Sequence, residues 1–341
     1  MNYVKNYLAN LNTDTTKSIF ITGGTGFLGS YVIRHLLQKG YTRIRALKRP
    51  DSSMHLVSDI ARQIEWVEGN VLDIVGLEDA LQTIDLVFHC AGLIAFAPRD
   101  RKRMMKVNRE GTANMVNVAL HCGVEKFIHV SSIEALGQKD GTVFTEKTQL
   151  ERKYHPMAYG LSKYLGEQEV WRGIAEGLNA VIVNPGVILG AGNWDEGALQ
   201  FFKLGAKGYP LYPTGRSGIV DVHDVARFMI KVAEGPISGE RFIVIAENLS
   251  YYDLMKQIAA VFGTKSPWIK LGTFLRGLFW RLEWFRATVT RSNPLITRAS
   301  AKTASVKHEY DHSKSVEMLD FNYTPIQETI KNTVEAFKNQ S

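Results

Sequence analysis

From about residue 17 to residue 132, short apolar runs alternate with stretches whose apolar residues recur at helical spacing. The runs at 18–23, 43–49, 64–70, 85–92 and 126–132 read as strands, and those at 180–186 and 241–247 as two more. Between them, 30–40, 77–84 and 106–123 carry helical periodicity, and the first and last close on Gly40 and Gly123. Strands that are apolar nearly throughout, separated by helices of this length, predict an α/β fold. Its sheet is parallel and doubly wound, with helices on both faces. Beyond residue 190 the regularity loosens. Glycine, proline and aromatic residues mix through 190–218, and 264–300 is rich in tryptophan, phenylalanine and arginine. The expected division is a dinucleotide-binding domain over 17–190, to which 219–247 returns. A smaller, discontinuous cap at 191–218 and 248–335 shapes a substrate pocket.

Composition narrows the classes without choosing among them. The chain has 341 residues, 45% hydrophobic and 22% charged, as in an ordinary globular protein. No stretch approaches the roughly 20 apolar residues of a membrane span. The first eighteen residues are polar and lack the apolar centre of a signal peptide. Cys90 and Cys122 sit in no metal-ligand spacing and read as buried small hydrophobes, so no metal is expected and a reducing, cytoplasmic setting is the default. The net charge of +7 is compatible with an anionic ligand. It comes with no nucleic-acid signature, so no nucleic-acid partner is expected.

The first chemistry is a glycine cluster between the first strand and the first helix. Gly24, Gly26 and Gly29 match G-x-G-x-x-G, while Gly23, Gly26 and Gly29 match G-x-x-G-x-x-G. Either register allows a tight turn and close approach of the backbone to a pyrophosphate, held at the amino end of the helix. An acidic residue at the end of the second strand would bind the ribose hydroxyls of NAD. That place holds Lys48 and Arg49, which suit the 2′-phosphate of NADP. NADP is therefore the expected cofactor, with NAD the alternative.

The second chemistry lies further on. Tyr159 and Lys163 are four residues apart and fall on one helical face. A cation near a phenol lowers its pKa from about 10 and makes it a usable acid–base group. Ser131 and Ser132 end a predicted parallel strand, where ligands of open α/β sheets bind.

With these motifs in order, the sequence resembles the extended short-chain dehydrogenase/reductases, also described as the NAD-dependent epimerase/dehydratase family. The resemblance runs from about 18 to 335 through TGGTGFLG (22–29), HCAG (89–92), VNREGT (107–112), HVSSIEALG (129–137), YGLSK (159–163), NPGVILG (184–190) and VDVHDVA (220–226). It implies a Rossmann-type domain with Ser132, Tyr159 and Lys163 as the catalytic set, Ser132 being preferred to Ser131. It implies cofactor contacts from Gly23, Thr25, Gly26, Phe27, Leu28, Gly29, Lys48, Arg49, Asn70, Val71, Ala91, Gly92 and Pro185, besides Tyr159 and Lys163. Asn70 stands where the family usually has an aspartate for the adenine amino group. Asn108 would steady the central helix, and a homodimer would form through the helices containing 108–121 and 159–175.

Within the family, 293–325 looks most like the dihydroflavonol-reductase and hydroxysteroid-dehydrogenase branch. Arg216 is displaced from where nucleotide-sugar enzymes hold their diphosphate. The expected activity is NADP-dependent reduction of a ketone or aldehyde, or the reverse oxidation of an alcohol. The alternatives are an NAD-dependent sugar-nucleotide epimerase and a non-catalytic NADP-binding protein. Phe274, Leu275, Leu278, Phe279 and Leu282 share a helical face, with Arg276, Arg281 and Arg286 elsewhere. They are read as a cap helix, with a pocket wall for a bulky apolar substrate or a membrane-surface contact as sharper alternatives. His89, Asp221, His223 and Asp224 are left out of the catalytic set, Asp224 being expected to cap the helix that follows.

Overall fold

The computed structural model describes residues 14–95, 98–137, 141–148, 150, 157–272, 277 and 304–340. In chain order, β1 (Ile19–Thr22) leads to α1 (Phe27–Gln38), β2 (Ile44–Lys48), β3 (Glu65–Glu68), α2 (Ile74–Ala80) and β4 (Leu86–His89). Then come α3 (Arg101–Met105), α4 (Gly111–His121), β5 (Lys126–Val130), β6 (Val143–Phe144), α5 (Ala158–Ala175), β7 (Ala180–Pro185) and β8 (Val187–Leu189). The rest is α6 (Gln200–Ala206), β9 (Leu211–Tyr212), β10 (Arg216–Asp221), α7 (Val222–Glu234), β11 (Glu240–Val244), β12 (Glu247–Ser250), α8 (Tyr251–Phe262), β13 (Ile269–Lys270), β14 (Glu309–Tyr310), α9 (Ser313–Leu319) and α10 (Ile326–Gln340).

Seven strands make the main sheet in the order β11-β7-β5-β4-β1-β2-β3, each pairing parallel. The doubly wound sheet is as expected. The chain enters at β1, winds out to β3 and returns to β4, so the order reverses between β1 and β4. A crevice opens there at the carboxyl ends of the strands.

Both faces of this sheet are covered, which is why its strands read as unbroken apolar runs. Ile19 and Ile21 turn to one face and pack with Ile33 and Leu36 of α1 and Phe228 and Met229 of α7. Phe20, between them, turns to the other and meets Val87, Phe127 and Ile182, with Met115 and Val116 of α4 and Val170 of α5. Full burial of one such side chain contributes about 1.5–3 kcal/mol. A third core of Leu189, Phe202, Ile219, Leu254, Ile258, Ile326 and Ile330 lies under the smaller sheet β12-β10-β8.

Several boundaries differ from the sequence reading, each for a local reason. The segment 219–247 does not return whole to the main sheet: β10 pairs with β8 and β12, and β11 alone adds the outer strand. Gly186 and Gly218 permit that close approach, since a Cβ on Gly186 would lie 2.8 Å from the Gly218 carbonyl carbon. The helix expected at 77–84 begins earlier because Asp73 caps it, accepting from the Gly76 amide at 3.2 Å. Asp224 does not cap α7. Asp221 does, accepting from the His223 amide at 2.7 Å, because the helix already starts at Val222. Asp224 is buried inside the helix and accepts from the Thr324 amide at 2.6 Å and its hydroxyl at 2.9 Å. Cys90 and Cys122 are half-buried rather than buried.

The helix expected at 106–123 is one helical run from Arg101 to His121, interrupted by a π-turn at Lys106–Glu110. The extra residue of a π-turn rotates the side chains on either side and is frequent at functional sites. Among the described residues no helix is long and apolar enough to cross a membrane. The face expected from Phe274, Leu275, Leu278, Phe279 and Leu282, with Arg276, Arg281 and Arg286, lies outside the described residues.

Candidate functional site

The crevice begins with the turn after β1. Gly23 has φ +71°, a conformation open to glycine, and a Cβ there would lie 2.8 Å from the Ala91 amide nitrogen. A Cβ on Gly29 would collide with the Gly23 carbonyl oxygen. Gly24 instead packs against Ile33 and Ala46. The turn thus belongs to the register of Gly23, Gly26 and Gly29. The amino end of α1 has no side-chain cap, so it presents its backbone amides and partial positive charge to the crevice beside Thr25, Phe27 and Leu28. These features fit a dinucleotide pyrophosphate.

The other cofactor candidates line the same edge. Lys48 ends β2 and pairs with Glu68 at 3.1 Å, while Arg49 pairs with Asp51 at 3.1 Å. Asn70 accepts from the Leu72 amide at 2.8 Å, so its oxygen is already engaged in a local turn. Val71 is buried against the position of Gly111, and its carbonyl accepts from Asn114 at 3.1 Å. The Ala91 amide donates to the Thr22 hydroxyl at 3.1 Å. Gly92 lies under Lys163, with its missing Cβ 2.7 Å from Nζ. Pro185 ends β7 beside Val244 of β11.

Ser132, Tyr159 and Lys163 come together at the carboxyl end of β5. The Ser132 and Tyr159 side chains are hydrogen-bonded, and Ser132 Oγ accepts from the Glu134 amide at 3.2 Å. Lys163 Nζ donates to the Val130 carbonyl at 2.9 Å. The expected depression of the tyrosine pKa is not found. Burial pushes the Tyr159 phenol up to about 12, against a smaller lowering by Ser132, and the Glu134 carboxylate raises it further. Burial also brings Lys163 down to about 8, with Cys90 and Glu167 opposing. The bond to Val130 uses one of the three donors of its ammonium.

A buried scaffold holds these groups. Asn108, in the π-turn, accepts from the Leu93 amide at 2.7 Å and donates to the Leu93 carbonyl and to Ser162 Oγ, each at 2.9 Å. Ser162 donates in turn to the Tyr159 carbonyl at 2.7 Å. Asn184 of β7 donates to the Ser132 carbonyl at 2.8 Å and to Glu167 at 2.6 Å, and Glu167 pairs with Arg241 at 3.0 Å. Asn184, Glu167 and Arg241 escaped the sequence reading, although Glu167 stands four residues after Lys163 on the same helical face. Arg216 pairs with Glu309 at 2.8 Å and donates to the Asn248 carbonyl.

His89 proves to be a satisfied core histidine. Its Nδ1 meets the Thr22 hydroxyl at 2.7 Å and its Nε2 the Thr112 hydroxyl at 3.1 Å. Burial and then Lys163 lower its pKa from 6.5 to about 3. The neutral ring therefore contributes stability that is complete above pH 6.5 and is lost as the pH falls toward 3. The slope approaches about 1.4 kcal/mol per pH unit. In urea denaturation, the unfolding free energy is expected to drop between pH 6.5 and 4. The drop should be smaller in His89→Asn; equal slopes in the two proteins would contradict this.

Known proteins share this fold. Residues 19–246 match the model of the NAD dependent epimerase/dehydratase family. A putative dihydroflavonol 4-reductase from Synechocystis sp. is 31% identical over 336 residues, 94% of each chain. Cinnamoyl-CoA reductase 1 from Petunia hybrida is 25% identical over 72% of this chain and 77% of its own. The crystal structure of gox2253 superposes with a TM-score of 0.82 at 31% identity, covering 96% of this chain and 99% of that one.

Proposed function

Because this chain belongs to the NAD dependent epimerase/dehydratase family and is an NAD(P)-dependent oxidoreductase of the short-chain type, we propose that it reduces the carbonyl of a ketone or aldehyde with NADPH. The observation that carries this reading is the meeting of Ser132, Tyr159 and Lys163 at the carboxyl end of β5, with the Tyr159 phenol hydrogen-bonded to Ser132. A phenol at that place can donate the proton that reduction of a carbonyl requires.

Reduced nicotinamide, when bound, supplies a hydride to the carbonyl carbon. Ser132 donates to the carbonyl oxygen and polarises it, and Tyr159 delivers a proton to that oxygen as negative charge develops. Lys163 returns a proton to Tyr159. Asn184 fixes the Ser132 peptide and Asn108 the start of α5, so the two oxygen donors keep their spacing. The dihydroflavonol and cinnamoyl-CoA reductases among the relatives carry reduction in their names.

The experiment is a panel of ketones and aldehydes, followed by loss of NADPH absorbance. Consumption with at least one carbonyl is expected. Consumption with none, in a protein purified with NAD(H) already bound, would replace the reading with an epimerase.

Lys48 and Arg49 make the NADP preference separately testable. Each carries a carboxylate neighbour that a 2′-phosphate would displace or share. Loss of one charge-assisted hydrogen bond costs about 1.5–3 kcal/mol, so Arg49→Ala is expected to weaken NADPH binding roughly 10- to 100-fold. NADH binding should move little. Tighter binding of NADH than NADPH by the unmodified protein would contradict the assignment.

A further inference from the structure

The crevice lies at the carboxyl ends of the strands. At their amino ends, among β1, β2, β3 and the turn into β4, lies a second cavity of about 320 Å³, at the small end of ligand pockets. Strand register explains what lines it. Phe20 of β1 pairs with Arg45 of β2 and with Val87 of β4, and Arg45 pairs with Glu65 of β3. Residues in register share a sheet face, here the one whose core holds Phe20 and Val87. Ser18 and Arg43 stand two places before Phe20 and Arg45, so they turn to the same face. Gln63 and Thr83, from the turns before β3 and β4, join them around the cavity.

Hydrogen-bond donors dominate this lining. Arg45 is held from three sides: Nε donates to Glu65 at 2.8 Å, and Nη1 to the carbonyls of Ala80 at 2.8 Å and Gln82 at 3.3 Å. Its Nη2 makes no hydrogen bond among the described residues, which leaves two N–H groups to spare. Arg43 is exposed and gives one bond, from Nη1 to the Thr16 carbonyl at 3.2 Å. Glu65 is the one acid among the described lining residues; its side chain pairs with Arg45 and is 61% exposed. Asp85, nearby, spends Oδ2 on the Ser18 amide at 2.6 Å. Ser18 itself is 4% exposed, and its hydroxyl has no partner among the described residues, a costly state for a buried polar atom. Thr83 has φ +63°, an outlying conformation for a β-branched residue, and Arg45 grips the carbonyl just before it. Residues held so cluster at ligand clamps.

We propose that this cavity is a second binding site, for a small organic phosphate, separate from the cofactor crevice and independent of the reductase reading. Guanidinium groups match phosphate oxygens in pairs. Arg45 offers Nη2 while the Ala80 and Gln82 carbonyls keep its fork in place, and Arg43 offers the donors it does not spend on Thr16. The Ser18 and Thr83 hydroxyls and the Gln63 amide add neutral donors. A carboxylate has two oxygens and would leave part of this set unused, whereas a phosphate monoester has three terminal ones. The size of the cavity admits the phosphate with a few further heavy atoms. Bound there, the ligand ties the starts of β1 and β2 to the turn that feeds β4.

The test titrates glycerol 3-phosphate into the protein saturated with NADPH, which keeps the probe off the pyrophosphate turn, and follows amide NMR shifts. Saturable shifts are expected at Arg43, Arg45 and Thr83, without comparable shifts at Gly26 and Gly29. Arg43→Ala should weaken binding of the probe about 10- to 100-fold, the loss of a charge-assisted bond, and Ser18→Ala about two- to tenfold. Because Arg43 is exposed and bonds one backbone carbonyl, its replacement should leave Tm and the NADPH Kd unchanged. Glycerate, with a carboxylate in place of the phosphate, should bind about tenfold more weakly than glycerol 3-phosphate. Shifts that grow without saturating, shifts confined to the pyrophosphate turn, or the same Kd in Arg43→Ala would overturn the site. Glycerate bound as tightly as glycerol 3-phosphate would overturn the choice of phosphate.

Discussion

Replacing Tyr159 with phenylalanine is expected to lower kcat by about 10²–10⁴-fold while leaving the carbonyl KM and the NADPH Kd nearly unchanged. The change removes one oxygen from a ring whose backbone is held by Ser162 and, through it, by Asn108. Only the proton donor goes. Ser132 then keeps its bond from the Glu134 amide and can still polarise the carbonyl, which accounts for residual rather than zero turnover. A Tyr159→Phe protein with undiminished kcat would remove the phenol from the chemistry. A variant altered mainly in KM would make it a binding group instead.

Gly29→Ala should be nearly as damaging for a different reason. Its methyl group has nowhere to go, because the Gly23 carbonyl oxygen occupies the place, and Gly23 is fixed at φ +71° against the Ala91 amide. The turn must open, and overpacking of this kind costs about 1–3 kcal/mol. If that cost falls on the bound geometry, cofactor binding weakens roughly 10- to 100-fold, and Tm drops by a few degrees. Gly24→Ala should be milder in binding, since Gly24 packs against side chains that can shift. Fluorescence titration of NADPH checks both. Equal Kd values for Gly29→Ala and the unmodified protein would mean that the turn does not hold the pyrophosphate.

The contrast between these two glycines shows where the sequence speaks. Both registers of the motif are visible in it, but which glycine makes the turn depends on how close β4 approaches, and β4 is over sixty residues away. The apolar runs of β1, β4, β5 and β7 are legible because strands buried on both faces have no polar positions. The π-turn around Asn108 leaves no such trace, since a single shift in the phase of the apolar pattern is lost in so short a run. Tyr159 and Lys163 are legible as a pair on one helical face, yet the state of the phenol is not. It follows from burial, against the Ser132 hydrogen bond, and from the Glu134 carboxylate. The partners of Lys48 show the same limit: its pairing with Glu68 is set by the register of β2 on β3. Glu167 reads as one more helical charge until Asn184 and Arg241 close on it. The region after residue 190 is least legible, because its short strands β8, β10 and β12 are held by glycine contacts and tertiary packing rather than by any periodic pattern.

The central claim is that a hydride passes to a carbonyl carbon at Ser132 and Tyr159. The most direct measurement supplies NADPH carrying deuterium on the transferring position of C4, together with the carbonyl substrate that consumes it fastest, and locates the label by mass spectrometry and NMR. Deuterium on the carbinol carbon of the alcohol, formed at a rate that Tyr159→Phe lowers by about 10²–10⁴-fold, is the predicted result. Product without deuterium at that carbon, or label transfer unaffected by loss of the phenol, would contradict it.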